Sequence, residues 1–552
     1  MVKRLREYIH CPTFILCGGS VLFPHGSYPE WGKMISEKWT LAVLAVIGIC
    51  GIASVIKNRP IVTSPDKMAR SFFLLGFIEV GISFLQLIGV FPSCNPFYRL
   101  TGTFDNPTLL GMQMCLCLPI GIYHIIKSQG RWRMIWLLLS VAVALCMVLT
   151  ASRTSVIAGI ISSLALSLIE VPSIIKKQIR GKWLAIFVPA IFAFATILYF
   201  FKQDSVDGRM LIWIVSIDMI KDSFLCGWGR NGFDSHYMFY QASYFLHHPD
   251  SKYLYLADNV FHPFNEILQF VISYGFGGTF VVLCLVMILL KYTKYDKNEY
   301  SGIFFSLLVS IGILSMFSYP SKVYFSWLVG GFLLSSLFYL RQSSPLLKAF
   351  SLSCSASFIL IFLQGVSAFR SEWKWMQLQM NYSNRDRTEV MGQYSALYEE
   401  LRESSSFLYN YGAVLHLFGQ YRKSLDVLNE CSKLYNDYNV QMLIADNLKQ
   451  IGYKDEAIEV LKFANAMIPN RFLPLYYEME TYLECGDTIN AYNTAFRIIN
   501  KPAKVAGSPT VKKIKEEAQK MIHIYSDMRN CPQRRRQLLY NDGFATVKPG
   551  RT

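Results

Sequence analysis

Apolar and polar residues alternate along this chain on the scale of whole segments. Apolar runs of about 17–25 residues, long enough to cross a hydrocarbon core, recur through the first two thirds of the sequence. Short polar loops separate most of them. The pattern predicts a polytopic helical membrane protein with about eleven transmembrane helices. The predicted spans are 12–24, 39–56, 71–90, 108–126, 134–150, 153–171, 183–201, 265–290, 302–318, 323–340 and 349–367.

A different pattern, of amphipathic helices, begins near residue 369. Gly419, Gly452 and Gly486 follow one another at intervals of 33 and 34 residues, and a small residue lies five positions after each glycine. This period resembles tetratricopeptide repeats, in which stacked helix pairs form an α-solenoid. Such a solenoid binds a partner protein, or it acts as a scaffold for self-association or for shielding an active face.

These two patterns predict an all-α protein with three parts. The transmembrane domain covers residues 1–368 and contains a large polar loop at 202–264. The helical-repeat domain covers residues 369–529, and a basic tail covers residues 530–552.

The net charge of +16 is explained mostly by basic residues whose distribution sets the membrane topology. Lys and Arg cluster in alternate loops, so we interpret the charge by the positive-inside rule and exclude a nucleic-acid partner. The rule predicts a cytoplasmic N-terminus, with the 202–264 loop and the repeats on the external side. A signal peptide is the alternative reading of the N-terminus, but no small-residue cleavage site follows the first apolar run.

Thirteen cysteines are present, and most of them lie within predicted spans. Their spacing predicts neither a disulfide framework nor a metal site.

Two polar segments lie at predicted external ends of spans outside the long loop. Residues 99–107 end in Asp-Asn-Pro, with Asn106 before the proline, which is typical of a turn that enters a helix. Arg153 follows Ser152 at the head of a span. An arginine in that position either snorkels to the interface or binds an anion.

Two further segments lie near the two ends of the long polar loop. Arg209 and Trp213 begin an apolar helix typical of the membrane surface, which leads to a glycine-rich turn containing Arg230. Residues 262–266 (His-Pro-Phe-Asn-Glu) close the loop directly before a span. The ordinary readings of these two segments are a set of turns and a polar anchor at the interface.

Taken in order, these segments resemble the O-antigen ligase superfamily, which includes O-antigen ligases, bacterial protein O-oligosaccharyltransferases and O-antigen polymerases. One departure is that many members have His-x-His-Asn where this chain has His-Pro-Phe-Asn at 262–265. The features that carry the resemblance are a Gly-Thr-Phe-Asn-Pro-like entry, Ser152-Arg153, Arg209 with Trp213, the glycine turn ending in Phe233, and His262 with Asn265.

The resemblance implies a GT-C-type glycosyltransferase of the bacterial inner membrane. It would move a glycan from undecaprenyl diphosphate to an acceptor hydroxyl at the external face. We expect a glycolipid acceptor such as the lipid A core. The alternatives are a protein hydroxyl, engaged through the repeats, and the end of a growing carrier-linked glycan. The expected partners are therefore the lipid-linked donor, one of these acceptors, membrane lipids and a protein bound by the repeats.

The implied catalytic residues are Arg153, Arg209 and His262. The two guanidinium groups would neutralise the diphosphate leaving group, and the imidazole would accept the proton of the acceptor hydroxyl. No Asp-x-Asp pair occurs in the sequence, so we expect a metal-independent reaction without a cofactor. The residues expected to bind substrate or to orient His262 are Arg99, Arg230, Asn265, Glu266, Asn106 and Trp213.

Two other classes stay open at this point. A transporter predicts ionisable residues within the spans, of which Glu79 is one. If the protein is a membrane scaffold or receptor, the repeats bind its partners and Arg153 and Arg209 are dispensable for its function.

Overall fold

The computed structural model describes residues 17–20, 22–23, 31–57, 65–170, 203–295, 300–340, 345–381, 386–505 and 507–530. The regular secondary structure of these residues is helical throughout, without a β-strand, which confirms the all-α prediction. Predicted span 183–201, most of span 12–24 and nearly all of the basic tail lie outside the described residues. Two compact units are present: Met1–Gln203 with His262–Leu401, and Asp204–Phe261 with Arg402–Thr552.

Helices are numbered in chain order. They are α1 Trp31–Lys57, α2 Pro65–Leu87, α3 Pro107–Lys127, α4 Gly130–Leu149, α5 Arg153–Glu170, α6 Gln203–Asp222, α7 Gly232–His247, α8 Glu266–Tyr295, α9 Ser301–Phe317, α10 Tyr324–Leu340, α11 Pro345–Ser367, α12 Phe369–Asn381, α13 Arg387–Leu401, α14 Ser405–Leu417, α15 Tyr421–Leu434, α16 Tyr438–Ile451, α17 Lys454–Met467, α18 Leu473–Glu484, α19 Thr488–Asn500 and α20 Pro509–Asn530.

The first unit is the membrane domain. Among the described residues, seven helical segments are long and apolar enough to cross a bilayer, and they coincide with predicted spans. Helices α9 and α10 are apolar as well, although the apolar stretches found in them are shorter. The protein is therefore a multi-pass helical membrane protein, while the number of eleven spans stays a prediction.

Helix α3 lies at the centre of this unit and packs against α2, α4, α5 and α9. Two glycines allow that close packing. A Cβ atom on Gly111 would lie 2.7 Å from Oγ1 of Thr150, and one on Gly121 would lie 2.2 Å from Oγ of Ser140. Small residues that let helices approach are the usual means of packing inside a membrane, where helix association gains little from the hydrophobic effect.

Helices α12 and α13 belong to this unit, although the sequence analysis assigned them to the repeats. Nζ of Lys38 on α1 lies 2.9 Å from Oε2 of Glu372 on α12. Ser371, also on α12, donates to the carboxylate of Glu400 on α13. These polar contacts join the two helices to each other and to α1. The boundary at residue 368, as a division of function, stays a prediction.

The second unit contains helices α14 to α20, and each helix packs against the next. Gly419, Gly452 and Gly486 each lie in a sharp turn between two helices and adopt a positive φ. Their spacing is the period found in the sequence. The small residues after them, Ser424, Ala457 and Ala491, are fully buried. The structure thus has a helix–turn–helix at each of the three glycines, while the α-solenoid and its assignment to the tetratricopeptide family stay predictions.

The long polar loop folds with the repeats and contributes α7 to the second unit. This helix packs against α15 and α17. Its buried side includes Phe233, Tyr237 and Phe245, which are at most 4% exposed. Burial of these large aromatic rings stabilises the loop on the repeat helices.

Candidate functional site

The turn before Arg153 is tight and strained. Helix α4 ends at Leu149 and α5 begins at Arg153, so only three residues connect them. Ala151 within that turn has φ of 54°, which is uncommon for a residue other than glycine. The hydroxyls of Ser152 and Ser155 lie 2.7 Å apart in a hydrogen bond that closes the first turn of α5. Strain of this kind often occurs where a side chain must be held in a defined place.

Relief of the strain at Ala151 is a direct test of this geometry. We expect Ala151→Gly to raise the melting temperature, because glycine adopts positive φ without the cost of about 1 kcal/mol that alanine incurs. The matched control is Ala158→Gly in the buried middle of α5, which is expected to lower the melting temperature. Thermal unfolding of the purified protein measures both, and a lower melting temperature for Ala151→Gly would contradict the strained geometry.

The loop carrying Arg99 is anchored by two buried side chains of α2. Glu79 accepts hydrogen bonds from the N–H of Thr103 at 3.0 Å and from its Oγ1 at 2.8 Å. Gln86 accepts from the backbone N–H groups of residues 101 and 102 and donates to the carbonyl of residue 102. Glu79 therefore has a local structural partner, which removes the reason to read it as a transport residue. Arg99 itself is exposed.

Asn106, predicted to bind substrate, is the N-cap of α3. Its Oδ1 accepts a hydrogen bond from the N–H of Thr108 at 2.8 Å, and Pro107 occupies the first position of the helix. This confirms the predicted helix entry. A role in binding substrate stays a prediction.

His262 lies in an aromatic cluster. Its ring centroid is 3.9 Å from that of Tyr319, in an edge orientation, and 4.4 Å from that of Phe264. The rings of Phe264 and Tyr319 are 5.5 Å apart, so the three rings contact one another. Phe264 has φ of 53° and is, with Ala151, one of two residues other than glycine with positive φ in the described chain. Both strained residues therefore lie within two positions of a predicted catalytic residue.

Asn265 and Glu266 have structural partners at the start of α8. Oδ1 of Asn265 accepts from the N–H of Leu268 at 3.0 Å and so caps the helix. Oε1 of Glu266 accepts from the N–H of Ser321 at 3.0 Å. These bonds fix the segment that carries His262, and a direct contact of either residue with substrate stays a prediction.

The link between α9 and α10 brings these parts of the first unit together. Thr154, next to Arg153, donates to the carbonyl of Phe317 at 3.5 Å. Ser318 lies 3.8 Å from the sulfur of Met112 on α3, and Tyr319 contacts His262. The starts of α3, α5 and α8 therefore meet at one end of the helix bundle.

Sequence reasoning missed Tyr319. The available signal was its position at the end of predicted span 302–318, on the same predicted side as the other segments. Only the fold shows that this turn reaches the ring of His262.

The other predicted site residues lie in the second unit. Arg209 and Trp213 are four residues apart on α6 and so share one face of the helix. The glycine-rich turn after α6 contains the exposed Arg230, and Gly227 and Gly229 adopt positive φ there.

Trp228 holds this turn in place. Its Nε1 donates to the carbonyl of Met219 at 2.8 Å, and its ring lies 4.3 Å from that of His236. Nearby, burial and a hydrogen bond to Asp222 raise the pKa of Tyr240.

Within the described ranges, His, Cys, Asp and Glu side chains form no group of three or more that could hold a metal ion. The groups at the end of the bundle include a guanidinium, an imidazole, hydroxyls and the carboxylate of Glu266.

Fold and site define a multi-pass membrane protein with basic and polar side chains at one end of its helices. Residues 110–283 match the family described as O-Antigen ligase, which confirms the resemblance to the O-antigen ligase superfamily. No curated protein matches the chain. The match supports a ligase- or polymerase-like glycosyltransferase, a class that works in general on a lipid-linked glycan donor and an acceptor. The matched residues include Arg153, Arg209 and His262, and the helical repeats lie outside the match.

Proposed function

We propose that the protein transfers an oligo- or polysaccharide from undecaprenyl diphosphate to an acceptor hydroxyl at the external face of the inner membrane. The acceptor that we favour is the lipid A core or a similar glycolipid. In this proposal the N-terminus is cytoplasmic and the repeats are periplasmic, as the distribution of Lys and Arg predicts.

The observation that carries the proposal is that Thr154, next to Arg153, and His262 contact neighbouring residues, Phe317 and Tyr319, at one end of the bundle. Helices α3, α5 and α8 also begin there, so the positive ends of three helix dipoles lie at this end. A guanidinium and helix N-termini are groups that bind phosphate. They would stabilise the diphosphate when the donor binds, and also when the diphosphate departs as the leaving group.

The proposed reaction is a displacement at the anomeric carbon of the donor. The acceptor oxygen forms a bond to that carbon, and the bond from the carbon to the diphosphate oxygen breaks. His262 takes the hydroxyl proton, while Arg153 and Arg209 stabilise the charge that develops on the diphosphate. The packing of Tyr319 and Phe264 against the imidazole restricts its orientation.

Two other acceptors are tested by one genetic experiment. Deletion of the gene is followed by separate analysis of lipopolysaccharide and of glycoproteins. Loss of the glycan from lipopolysaccharide alone supports the proposal, and loss from glycoproteins alone assigns a protein O-oligosaccharyltransferase. Chains that are shortened but still ligated assign a polymerase, and intact profiles of both kinds contradict transferase function.

A further inference from the structure

The segment Leu254–Phe261, here called the approach segment, leads directly to His262 along the chain. Its regular structure is limited to the short 3-10 turn Leu254–Leu256. A segment with so little internal hydrogen bonding depends on outside partners for a defined path. Those partners come from the helical repeats of the same unit.

Gln241 on α7 makes the first connection. This side chain is fully buried, and its Nε2 donates to the carbonyl of Met467 on α17 at 2.7 Å and to that of Asp258 at 3.2 Å. Its Oε1 accepts from the hydroxyl of Tyr237 at 2.9 Å. One buried amide thus joins the loop helix, the approach segment and a repeat helix, and a partly satisfied amide there would be costly.

Asn470, in the turn between α17 and α18, makes the second connection. Its Nδ2 lies 2.7 Å from the carbonyl of Ala257, 3.2 Å from that of Leu254 and 3.4 Å from that of Tyr255. A single donor group therefore faces three backbone acceptors of the approach segment. The neighbouring Arg471 pairs with Asp258 at 3.0 Å, but both side chains are about half exposed and so contribute little.

Asp437, in the turn between α15 and α16, makes the third connection. Its Oδ2 accepts from Nδ2 of Asn259 at 3.1 Å, and its Oδ1 caps α16 through the N–H of Val440 at 2.8 Å. The ring of Phe261 lies parallel to that of Tyr435, with centroids 6.2 Å apart. The carboxylate is 5% exposed, so the bond to Asn259 is shielded from water.

These contacts come from two successive turns that join one helix pair to the next. We propose that the repeats position the approach segment, and that Asn470 and Asp437 are positioning residues for the transfer reaction. The effect on catalysis rests on the proposed function, whereas the effect on the conformation of the segment does not. The repeats are in this view a built-in part of the enzyme's active conformation.

The test uses the full-length protein in nanodiscs with the variant Asn470→Asp. This change keeps the shape of the side chain but replaces the donor with a carboxylate facing three carbonyl oxygens. Hydrogen exchange of peptides covering residues 254–261 is expected to become at least about tenfold faster. The matched control, Asn493→Asp, makes the same chemical change at an exposed position of α19 and is expected to leave exchange there unaltered.

A kinetic measurement separates positioning from general stability. For Asn470→Asp, kcat is expected to fall about tenfold while KM for the lipid-linked donor and the melting temperature stay at wild-type values. The donor used is an undecaprenyl diphosphate oligosaccharide. Asn259→Ala removes the contact of the approach segment to Asp437. It is expected to show the same fall in kcat with unchanged KM and melting temperature, and it replaces Asn470→Asp if that variant does not fold.

Three results are decisive. Unaltered exchange of the approach segment in both variants overturns the proposal, and so does faster exchange with unchanged kcat. Faster exchange with reduced kcat supports it. If the wild-type protein transfers no glycan to any acceptor, the proposed function fails, while the exchange result still decides whether the repeats hold the segment.

Discussion

Replacing Arg153 with alanine is expected to lower kcat for glycan transfer by about 10²–10³-fold, because one charged donor to the leaving diphosphate is lost. The same loss is expected for Arg209→Ala. Arg153→Lys should recover part of the rate, since an ammonium keeps the charge but cannot make the paired hydrogen bonds of a guanidinium. Transfer from a purified lipid-linked donor in reconstituted vesicles measures these rates.

The matched control is Arg131→Ala. Arg131 is an exposed arginine at the start of α4. The other end of α4 leads into the turn before Arg153, so the two arginines lie at opposite ends of α4. Its removal is expected to leave kcat within about twofold of wild type, as is usual for exposed surface positions. Equal losses at Arg131 and Arg153 would show that charge near the membrane, not contact with the diphosphate, explains the effect. Full activity of Arg153→Ala would remove Arg153 from the mechanism.

His262→Ala is expected to lower kcat by about 10²–10⁴-fold, the usual contribution of a general base. Protein folding is checked by the melting temperature, since His262 also packs against Tyr319 and Phe264.

Two further variants sharpen the prediction for His262. His247→Ala removes an exposed histidine at the end of α7 and is the matched control, with wild-type activity expected. Phe264→His restores the His-x-His-Asn pattern common in the superfamily. Since the ring of Phe264 contacts that of His262, this change in the His262→Ala background is expected to recover part of the rate. Wild-type kcat in His262→Ala alone would rule out the proposed base.

Much of the fold follows from local sequence patterns. Apolar runs predict the membrane helices because a helix must satisfy its own backbone inside a bilayer. The cap at Asn106 and the glycine turns of the repeats depend on a few neighbouring residues, so sequence reasoning reaches them as well.

The parts that sequence reasoning missed depend on distant residues. Tyr319 lies 57 positions after His262 in the chain, and no local pattern indicates that the two rings meet. The positive φ of Ala151 and Phe264 is imposed by the surrounding fold rather than chosen by residue type. Likewise, the grouping of the polar loop with the repeats arises from the packing of α7 on α15 and α17.

The candidate site is predicted only in part for the same reason. The sequence indicated Arg153 and His262 from their places in ordered motifs. The structure adds that Thr154, the neighbour of Arg153, contacts the end of α9 and that His262 contacts Tyr319 just after it. Asn265 and Glu266 were expected to act on His262 or on substrate. Their observed partners, the N–H groups of Leu268 and Ser321, show how they hold the backbone around it.

The discontinuous second unit has a consequence for biosynthesis. Gln241 and its acceptor Met467 are 226 positions apart, so the ribosome makes α7 long before the helices that cover it. Until those helices are made, the aromatic side of α7, including Phe233 and Tyr237, lacks the surface that buries it in the finished protein. Nascent chains therefore pass through a stage that is vulnerable to proteases and aggregation. A premature stop codon between α11 and α17 should yield little protein, even though every membrane helix has already been translated.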